Sequence, residues 1–486
     1  MSEIKKIICY HTHIELNDYY PGECLKLEHA LSLWDKVYFK YIPIGYIFDG
    51  NKQSLLMPSG VSATWVASLT GRPIEMNYDA DPYENIHLRI TKPPRDELQV
   101  DSLKFLAGKG EYSAYAKYPQ LVLNLDTGMG KTYITIAQIA YKGLKSIIIV
   151  HSEKIKEQWI ETLIDDTNID PKKICEIKGS PKCIDILKKP KKYNNYSIFV
   201  IKHATLRSFG DTYGWWTVHD LFIALNVGIK VYDEVHREFA NIVRTDCFTN
   251  TKYTYYLTAT FGRSDDNEMR IYKRCFQNIP KFEQKKRSDY EGKPHITYMC
   301  IFYRSNPSFQ QMAMLKTKYG FNRNAYANYQ VEDDEKFFSI LGILVRKSVV
   351  EQGFKTLLLM STISGIDRMV EYMKNEHPGI SVGAYHSKVP PEEKERAIEC
   401  KLIVTTEKSL GEGADITGLK TVINTESFKS LIITEQIVGR LRKPADGSGC
   451  IYIETVDTAF QTLRAQQRTR EKFLSKLVGG IKYVKM

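Results

Sequence analysis

Short apolar runs and longer amphipathic stretches alternate along most of this chain. From Gln99 onward, "LVLNL" (121–125), "SIIIV" (146–150), "YSIFVI" (196–201), "IKVYD" (229–233) and "YTYYLTA" (253–259) are runs of strand length, and helical spacing fills several of the gaps between them. Runs apolar on both faces and separated by helices predict a parallel sheet covered on both sides. The pattern fails over 276–294, "FQNIPKFEQKKRSDYEGKP", where charge accumulates and a linker or exposed loop is expected. A second alternating series follows: "HITYMCIFY", "TLLLM", "SVGAYHS", "LIVTT", "TVINTES" and "CIYIETV". Ahead of Gln99 the rhythm differs. Runs such as "KKIICYHTHIEL", "KVYFKYIPIGYIF" and "SLLMPSG" alternate with turn signals and predict a small mixed module, closed by the proline pair of "TKPPRDEL". The expected fold class is therefore α/β, with two tandem parallel-sheet domains over 93–290 and 291–486. A small α+β domain over 1–92 precedes them, and a basic tail, helical in pattern until "GGIKYVKM", ends the second.

Length and composition narrow this further. A chain of 486 residues fits two or three domains. It contains no apolar run long enough to span a bilayer. The opening "MSEIKKIICYHTHIEL" is interrupted by charge at once, so no secretory leader is expected and the cytoplasm is the expected compartment. Nine cysteines without a C-x-x-C pair indicate neither a zinc ribbon nor a disulfide framework, and buried free thiols are expected. Lys and Arg exceed Asp and Glu by 11, which suits a polyanionic partner.

The candidate chemistry begins at "NLDTGMGKT" (124–132), placed between a buried-strand run and the helical pattern of "YITIAQIAYKGL". Such a turn at a helix N-terminus points backbone N–H groups at phosphate oxygens. In this reading Thr127, Gly128, Met129 and Gly130 form the cradle, Lys131 reaches the β and γ phosphates, and Thr132 holds Mg²⁺. Leu125 stands where a stricter phosphate loop has Gly, but at the strand end its side chain can pack under the loop. The alternative is an ordinary turn capping a helix. Downstream, "IKVYDEVHREFA" sets Asp233 and Glu234 past an apolar strand, where Asp233 can share the Mg²⁺ and Glu234 can orient and deprotonate a water. His236 follows them.

Taken in order, G-K-T, D-E-V-H, "LTAT" (257–260), "VTTEKSLGEGADI" (404–416) and "EQIVGRLRKP" (435–444) resemble the motif series of superfamily 2 helicases of the DExH kind, over residues 95–480. That resemblance implies two RecA-like domains, with ATP and Mg²⁺ as cofactors. It further implies an adenine contact from Gln99 and nucleotide contacts from Gly413 and Asp415. His236, Thr258 and Thr260 would couple ATP state to domain closure. Ser152 in "VHSEKIKEQW", Thr205 in "IKHATL" and Thr406 would touch a nucleic-acid strand, and Trp159 reads as core. Gln436 and Arg440 match the family's Q-x-x-G-R-x-x-R, with Arg440 the first choice of arginine finger. The sequence departs at the last position, Lys443, where Arg442 stands one residue early as a second candidate.

The layout, a small module followed directly by the motor, resembles branch-processing DNA helicases of phage within that group. Branched, duplex or single-stranded DNA is then the expected partner, in replication, recombination or repair, with RNA as an alternative partner. The free chain is expected to be a monomer without membrane association, in the host cytoplasm if phage-encoded. Two alternatives stand beside this: a DExH RNA helicase, and a nucleic-acid-binding scaffold with a degenerate ATPase. Arg464, Arg468, Arg470 and Lys472 of the tail either line the nucleic-acid channel or form a solvated helix face.

Overall fold

The computed structural model describes residues 4–35, 39–126, 128–259, 266–283, 293–317, 320–410, 416–426, 430–444 and 446–486. Thr127, Thr260, Gly413 and Asp415 lie outside the described residues. The chain divides into two units, Met1–Lys285 and Lys286–Met486.

The first unit opens with a five-stranded sheet formed by β1 (Ile7–Cys9), β2 (His13–Leu16), β3 (Ile47–Asp49), β4 (Ser54–Pro58) and β5 (Ile74–Met76), in the order β3-β4-β2-β1-β5. Only β1 and β5 pair in parallel, so the sheet is mixed. The module is bonded into the domain that follows. The Thr12 hydroxyl donates to the Thr249 carbonyl, the His11 amide reaches Asn250 Oδ1 at 3.0 Å, and Trp216 Nε1 reaches Asp49 Oδ2 at 2.9 Å. Gly60 has no room for a side chain, since a Cβ there would lie 2.1 Å from the Cys275 carbonyl oxygen. The chain then runs along the larger domain, with backbone bonds from Ile86 N to Gly143 O (2.8 Å), Lys145 N to Glu84 O (2.9 Å) and Thr91 N to Asp166 O (2.9 Å).

That larger domain is built on β6 (Gln120–Asn124), β7 (Ser146–Val150), β8 (Ile174–Ile177), β9 (Ile198–Lys202), β10 (Ile229–Tyr232), β11 (Tyr253–Thr258) and β12 (Lys281–Glu283). Among the described residues these form one parallel sheet, ordered β8-β9-β7-β10-β11-β6-β12. Every residue of β7 and β10 is buried, so β7 runs apolar without alternation and the one charge in β10, Lys230, is held by a buried partner, Asp246.

The second unit repeats the plan. Its strands are β13 (Lys293–Tyr303), β14 (Lys355–Leu359), β15 (Val382–Tyr385), β16 (Leu402–Thr405), β17 (Leu419–Asn424), β18 (Cys450–Asp457) and β19 (Val478–Lys485), all parallel in the order β15-β16-β14-β17-β18-β13-β19. Counted from the first strand of each sheet, both orders read third, fourth, second, fifth, sixth, first, seventh. These are two RecA-like domains in tandem.

The helix Gln461–Leu474 packs on the second sheet and corrects one expectation. Arg470 is 3% exposed and places Nε 2.8 Å from Glu454 Oε1, itself in β18, so its charge is spent inside the domain rather than in a channel. Arg464, Arg468 and Lys472 are exposed. Seven of the nine cysteines are buried, and all nine are free thiols.

Candidate nucleotide site

The carboxyl ends of three adjacent strands, β10, β11 and β6, bring the predicted chemistry together. After β6 the chain passes Leu125, which is buried, and turns through Gly128 and Gly130, both at φ +83°. Side chains rarely tolerate that backbone region, so the turn depends on glycine. The helix Lys131–Lys142 starts there with Gly130 as its cap, a residue with no side chain to satisfy the first N–H groups. An open helix N-terminus of this kind is an anion site. Lys131 Nζ folds back onto the Leu125 and Asp126 carbonyls at 2.9 and 3.4 Å. Met129 packs against the core beneath the loop, and Thr132, in the first helical turn, is half-buried.

Gln99 lies against this loop. It sits in the helix Glu97–Ala107, which is capped by Asp96, and its Oε1 accepts from Arg95 N at 2.7 Å. Its amide nitrogen is close enough that a Cβ on Gly130 would meet it at 2.2 Å. The side chain is 4% exposed, so it is a packed part of the loop's wall rather than a solvated helix-start glutamine.

Asp233 emerges from β10 and is 7% exposed. Its Oδ2 accepts from Trp159 Nε1 at 2.8 Å and its Oδ1 from the Glu234 amide at 2.9 Å. Burial, then the adjacent Glu234 charge, push its carboxyl up to about 6, while the Trp159 bond and the Lys131 charge pull the other way. Two carboxylates are thus held together with too little positive charge between them, a donor set that fits a divalent cation. Among the described residues no group of three or more His, Cys, Asp or Glu could hold a metal by itself. An ion here needs further oxygens, which a bound phosphate and the Thr132 hydroxyl can supply.

Glu234 is held at φ +53°, a left-handed conformation unusual for a non-glycine residue and costly by about 1 kcal/mol. The next residues are pinned, with Val235 N bonded to Leu257 O at 3.0 Å and Arg237 N to Glu234 O at 2.9 Å. His236 then stands between two partners, its Nδ1 3.2 Å from Glu234 Oε2 and 3.1 Å from Thr258 Oγ1. The chain Glu234–His236–Thr258 therefore runs from β10 to the end of β11.

The remaining predicted residues are placed as follows. Ser152 caps the helix Glu153–Asp166, its Oγ accepting from Ile155 N at 3.4 Å. Thr205 lies in the first turn of the helix His203–Tyr213 and is 8% exposed. In the second unit Thr406 follows β16, and its Oγ1 accepts from Ser409 N at 3.2 Å. Gln436 lies on the helix Leu431–Gly439, Arg440 caps its C-terminus, and Arg442 is exposed just beyond. Trp159 is the contact that sequence reasoning missed. It is fully buried, as a core residue should be, yet its indole N–H also orients Asp233, and only the strand order reveals the meeting.

Two protein-family models match the chain: "Type III restriction enzyme, res subunit" over residues 94–263, and "Helicase conserved C-terminal domain" over residues 336–444. They fall one on each parallel-sheet domain and bracket the motif series. The chain belongs to the superfamily 2 helicases. Among curated members it is 23% identical over 366 residues to the putative ATP-dependent RNA helicase L396 of Acanthamoeba polyphaga mimivirus, covering 73% of this chain and 63% of that protein. It is 26% identical over 373 residues to the DNA 3'-5' helicase XPB of Kineococcus radiotolerans, covering 73% and 59%. The chain thus spans less than two thirds of the length of these superfamily 2 relatives. Among solved structures, S. cerevisiae Dbp5 bound to RNA and ADP BeF3 superposes with a TM-score of 0.52 at 14% identity, over 80% of this chain and 89% of that one, a likeness of fold. T4 UvsW aligns over 99% of both chains with a TM-score of 0.37 at 14% identity.

Proposed function

We propose that this chain is an ATP-driven motor that translocates on DNA and remodels branched or duplex substrates. The observation that carries the reading is the convergence, at neighbouring strand ends, of an open phosphate loop, the buried Asp233 and the chain from Glu234 to Thr258. Lys131 neutralises the terminal phosphates, and Glu234 orients the attacking water and takes its proton. Mg²⁺, held by Asp233 and Thr132, would offset charge on the β and γ oxygens. His236 senses the protonation of Glu234 through its shared contact with Thr258, which links hydrolysis to the end of β11. Arg440 is the arginine finger that the second lobe contributes, an interaction worth on the order of 10³ to 10⁵ in rate. Hydrolysis then accompanies closure of the lobes, and repeated closure moves the strand.

The relatives named as DNA 3'-5' helicases support DNA, and the mimivirus relative's name makes RNA the comparator. The test measures ATP turnover with single-stranded, forked and four-way DNA and with RNA. DNA is expected to stimulate turnover. Lys131→Ala and Glu234→Gln should abolish it while DNA binding persists. Stimulation by RNA alone would replace DNA with RNA in this account, and absence of turnover with every substrate would leave a binding scaffold.

A further inference from the structure

The strongest concentration of charge in the first unit lies far from the phosphate loop. Between Lys172 and Lys192 the sequence "KKICEIKGSPKCIDILKKPKK" holds eight lysines against two carboxylates, an excess of six within a chain whose whole excess is eleven. The topology gathers six of them. Lys172 and Lys173 lead into β8, while Lys188, Lys189, Lys191 and Lys192 end the helix Gly179–Lys188 and lead into β9. Because β8 and β9 are parallel neighbours, both lead-ins lie at the same end of the sheet. The bond from Ser197 N to Lys173 O at 2.8 Å ties them together, and the Lys145 ammonium, at the start of β7, donates to the Asn194 carbonyl at 2.8 Å beside them.

This is the amino end of the strands, whereas Lys131, Asp233 and Thr258 occupy the carboxyl end. A five-residue strand and two to five strand spacings separate the lysines from these three residues by about 20 to 30 Å. The lysines therefore serve no part of the nucleotide site.

All six are exposed. Asp185 offsets two of them, Lys192 at 2.8 Å and Lys189 at 3.6 Å. Among the described residues Lys172, Lys173, Lys188 and Lys191 make no ion pair. Local packing holds the group in place: the Tyr193 ring is buried, takes Lys182 and Lys192 against its face at 5.0 and 5.3 Å, and donates its hydroxyl to Asp185. The surface between the lysines presents Pro190, Asn194 and Asn195 and no exposed aromatic ring. Single strands are held by stacking bases on such rings, and duplexes by contacts to their phosphates.

We propose that this lysine edge binds the phosphate backbone of a duplex nucleic-acid arm, as a second contact outside the motor's strand-gripping surface. The inference rests on the proposed nucleic-acid motor for the source of the arm. The edge selects charge density and not sequence, so it anchors the double-stranded part of a branched substrate.

The test compares the full chain with Lys172→Gln/Lys173→Gln/Lys188→Gln/Lys191→Gln and with the corresponding quadruple Lys→Arg variant. Two labelled DNA probes are titrated from 50 to 300 mM salt: a 30-nucleotide single strand, and the same strand carrying a 20-base-pair arm. For the armed probe the Gln variant should bind at least about tenfold more weakly near 100 mM salt. Its log–log salt slope should shrink by up to about 3.6, from four contacts at about 0.9 each. The single strand should bind unchanged, and the Arg variant should match the parent. An unaltered slope on the armed probe overturns the proposal, as does a loss confined to vesicles rich in phosphatidylserine, which would assign the edge to a membrane surface. ATP turnover with the single strand is read in parallel. If the parent shows none while the armed-probe slope still depends on the lysines, the motor reading fails and the lysine edge stands.

Discussion

Removing one member of the buried pair Lys230–Asp246 should cost the first unit far more than removing both. Lys230 is fully buried in β10, its ammonium 2.7 Å from Asp246 Oδ1 and 2.6 Å from Thr249 Oγ1. Asp246, 1% exposed on the helix Phe239–Cys247, also accepts from the phenols of Tyr232 (2.9 Å) and Tyr256 (2.7 Å). Asp246→Leu leaves a buried ammonium with the Thr249 hydroxyl as its remaining oxygen and takes the acceptor from two phenol O–H groups, Tyr256 keeping only the bond it accepts from Gln120 at 2.9 Å. A broken buried pair costs about 3 to 5 kcal/mol and each stranded phenol about 1 kcal/mol more. Lys230→Met leaves the carboxylate with two good donors, and about 3 kcal/mol is expected. Apolar replacement of a buried pair is often neutral, so the double variant should fall within about 2 kcal/mol of the parent, giving a coupling of several kcal/mol. All five tryptophans, at 34, 65, 159, 215 and 216, belong to the first unit, so their fluorescence in guanidinium reports its unfolding. Tyr232 immediately precedes Asp233, and Tyr256 lies two residues before Thr258. Asp246→Leu should therefore depress ATP turnover even where the fold persists, and the double variant should restore it. A double variant as unstable as the sum of the singles would refute the reasoning.

Other outcomes follow from single contacts. Gly130→Ala forces a side chain onto a φ of +83° and against the Gln99 amide, and nucleotide affinity should fall at least about tenfold, about 1.4 kcal/mol, in a fluorescent-nucleotide titration. His203 is fully buried, stacks on Tyr232 at 5.7 Å, and has no hydrogen-bond partner on either ring nitrogen among the described residues. Burial, then the charges of His151 and Arg207, lower it to about 3, and burial with the Lys230 charge lowers His13 to about 3. Both rings stay neutral in the folded chain and protonate only in the unfolded one, so stability is complete above about pH 6.5 and lost as the pH falls toward 3. At pH 5 each should withdraw about 2 kcal/mol, and His203→Phe should flatten the fluorescence-detected pH profile by that amount.

What the sequence disclosed and what it hid divide along physical lines. Runs such as "SIIIV" and "LIVTT" are buried on both faces, so pattern alone located β7 and β16. The strands it missed lie at sheet edges. Ile174–Ile177 is half-buried at alternate positions, and Lys281–Glu283 is three residues long within a charged stretch that reads as a linker. Val478–Lys485 has no fully buried residue and begins with two glycines after its first position. An edge strand needs only one neighbour and can carry lysine and glycine, so its composition says little. The identical strand order of the two domains was equally invisible, because order is fixed by crossovers and leaves no periodic mark on the chain.

The site shows the same division at the level of single side chains. Glycines at positive φ and acids at strand ends are required by local geometry, so Gly128, Gly130, Asp233 and Glu234 announce themselves in a few adjacent letters. The groups that set their behaviour come from elsewhere in the sheet. Trp159 reaches Asp233 across 74 positions of sequence, and Thr258 reaches His236 across 22. Had Trp159 been only a core residue, a phenylalanine would serve in its place. The indole N–H is what keeps Oδ2 of Asp233 aimed while Oδ1 is held by the Glu234 amide, leaving the remaining lone pairs for a cation. Trp159→Phe should accordingly leave the unfolding free energy, followed by circular dichroism, within about 1.5 kcal/mol of the parent, a modest repacking change. It should nevertheless weaken Mg²⁺ activation of ATP turnover about tenfold or more, the scale seen when an outer partner of a metal ligand is lost. Equal Mg²⁺ dependence in parent and variant would return Trp159 to the core and leave Asp233 aimed by its own backbone alone.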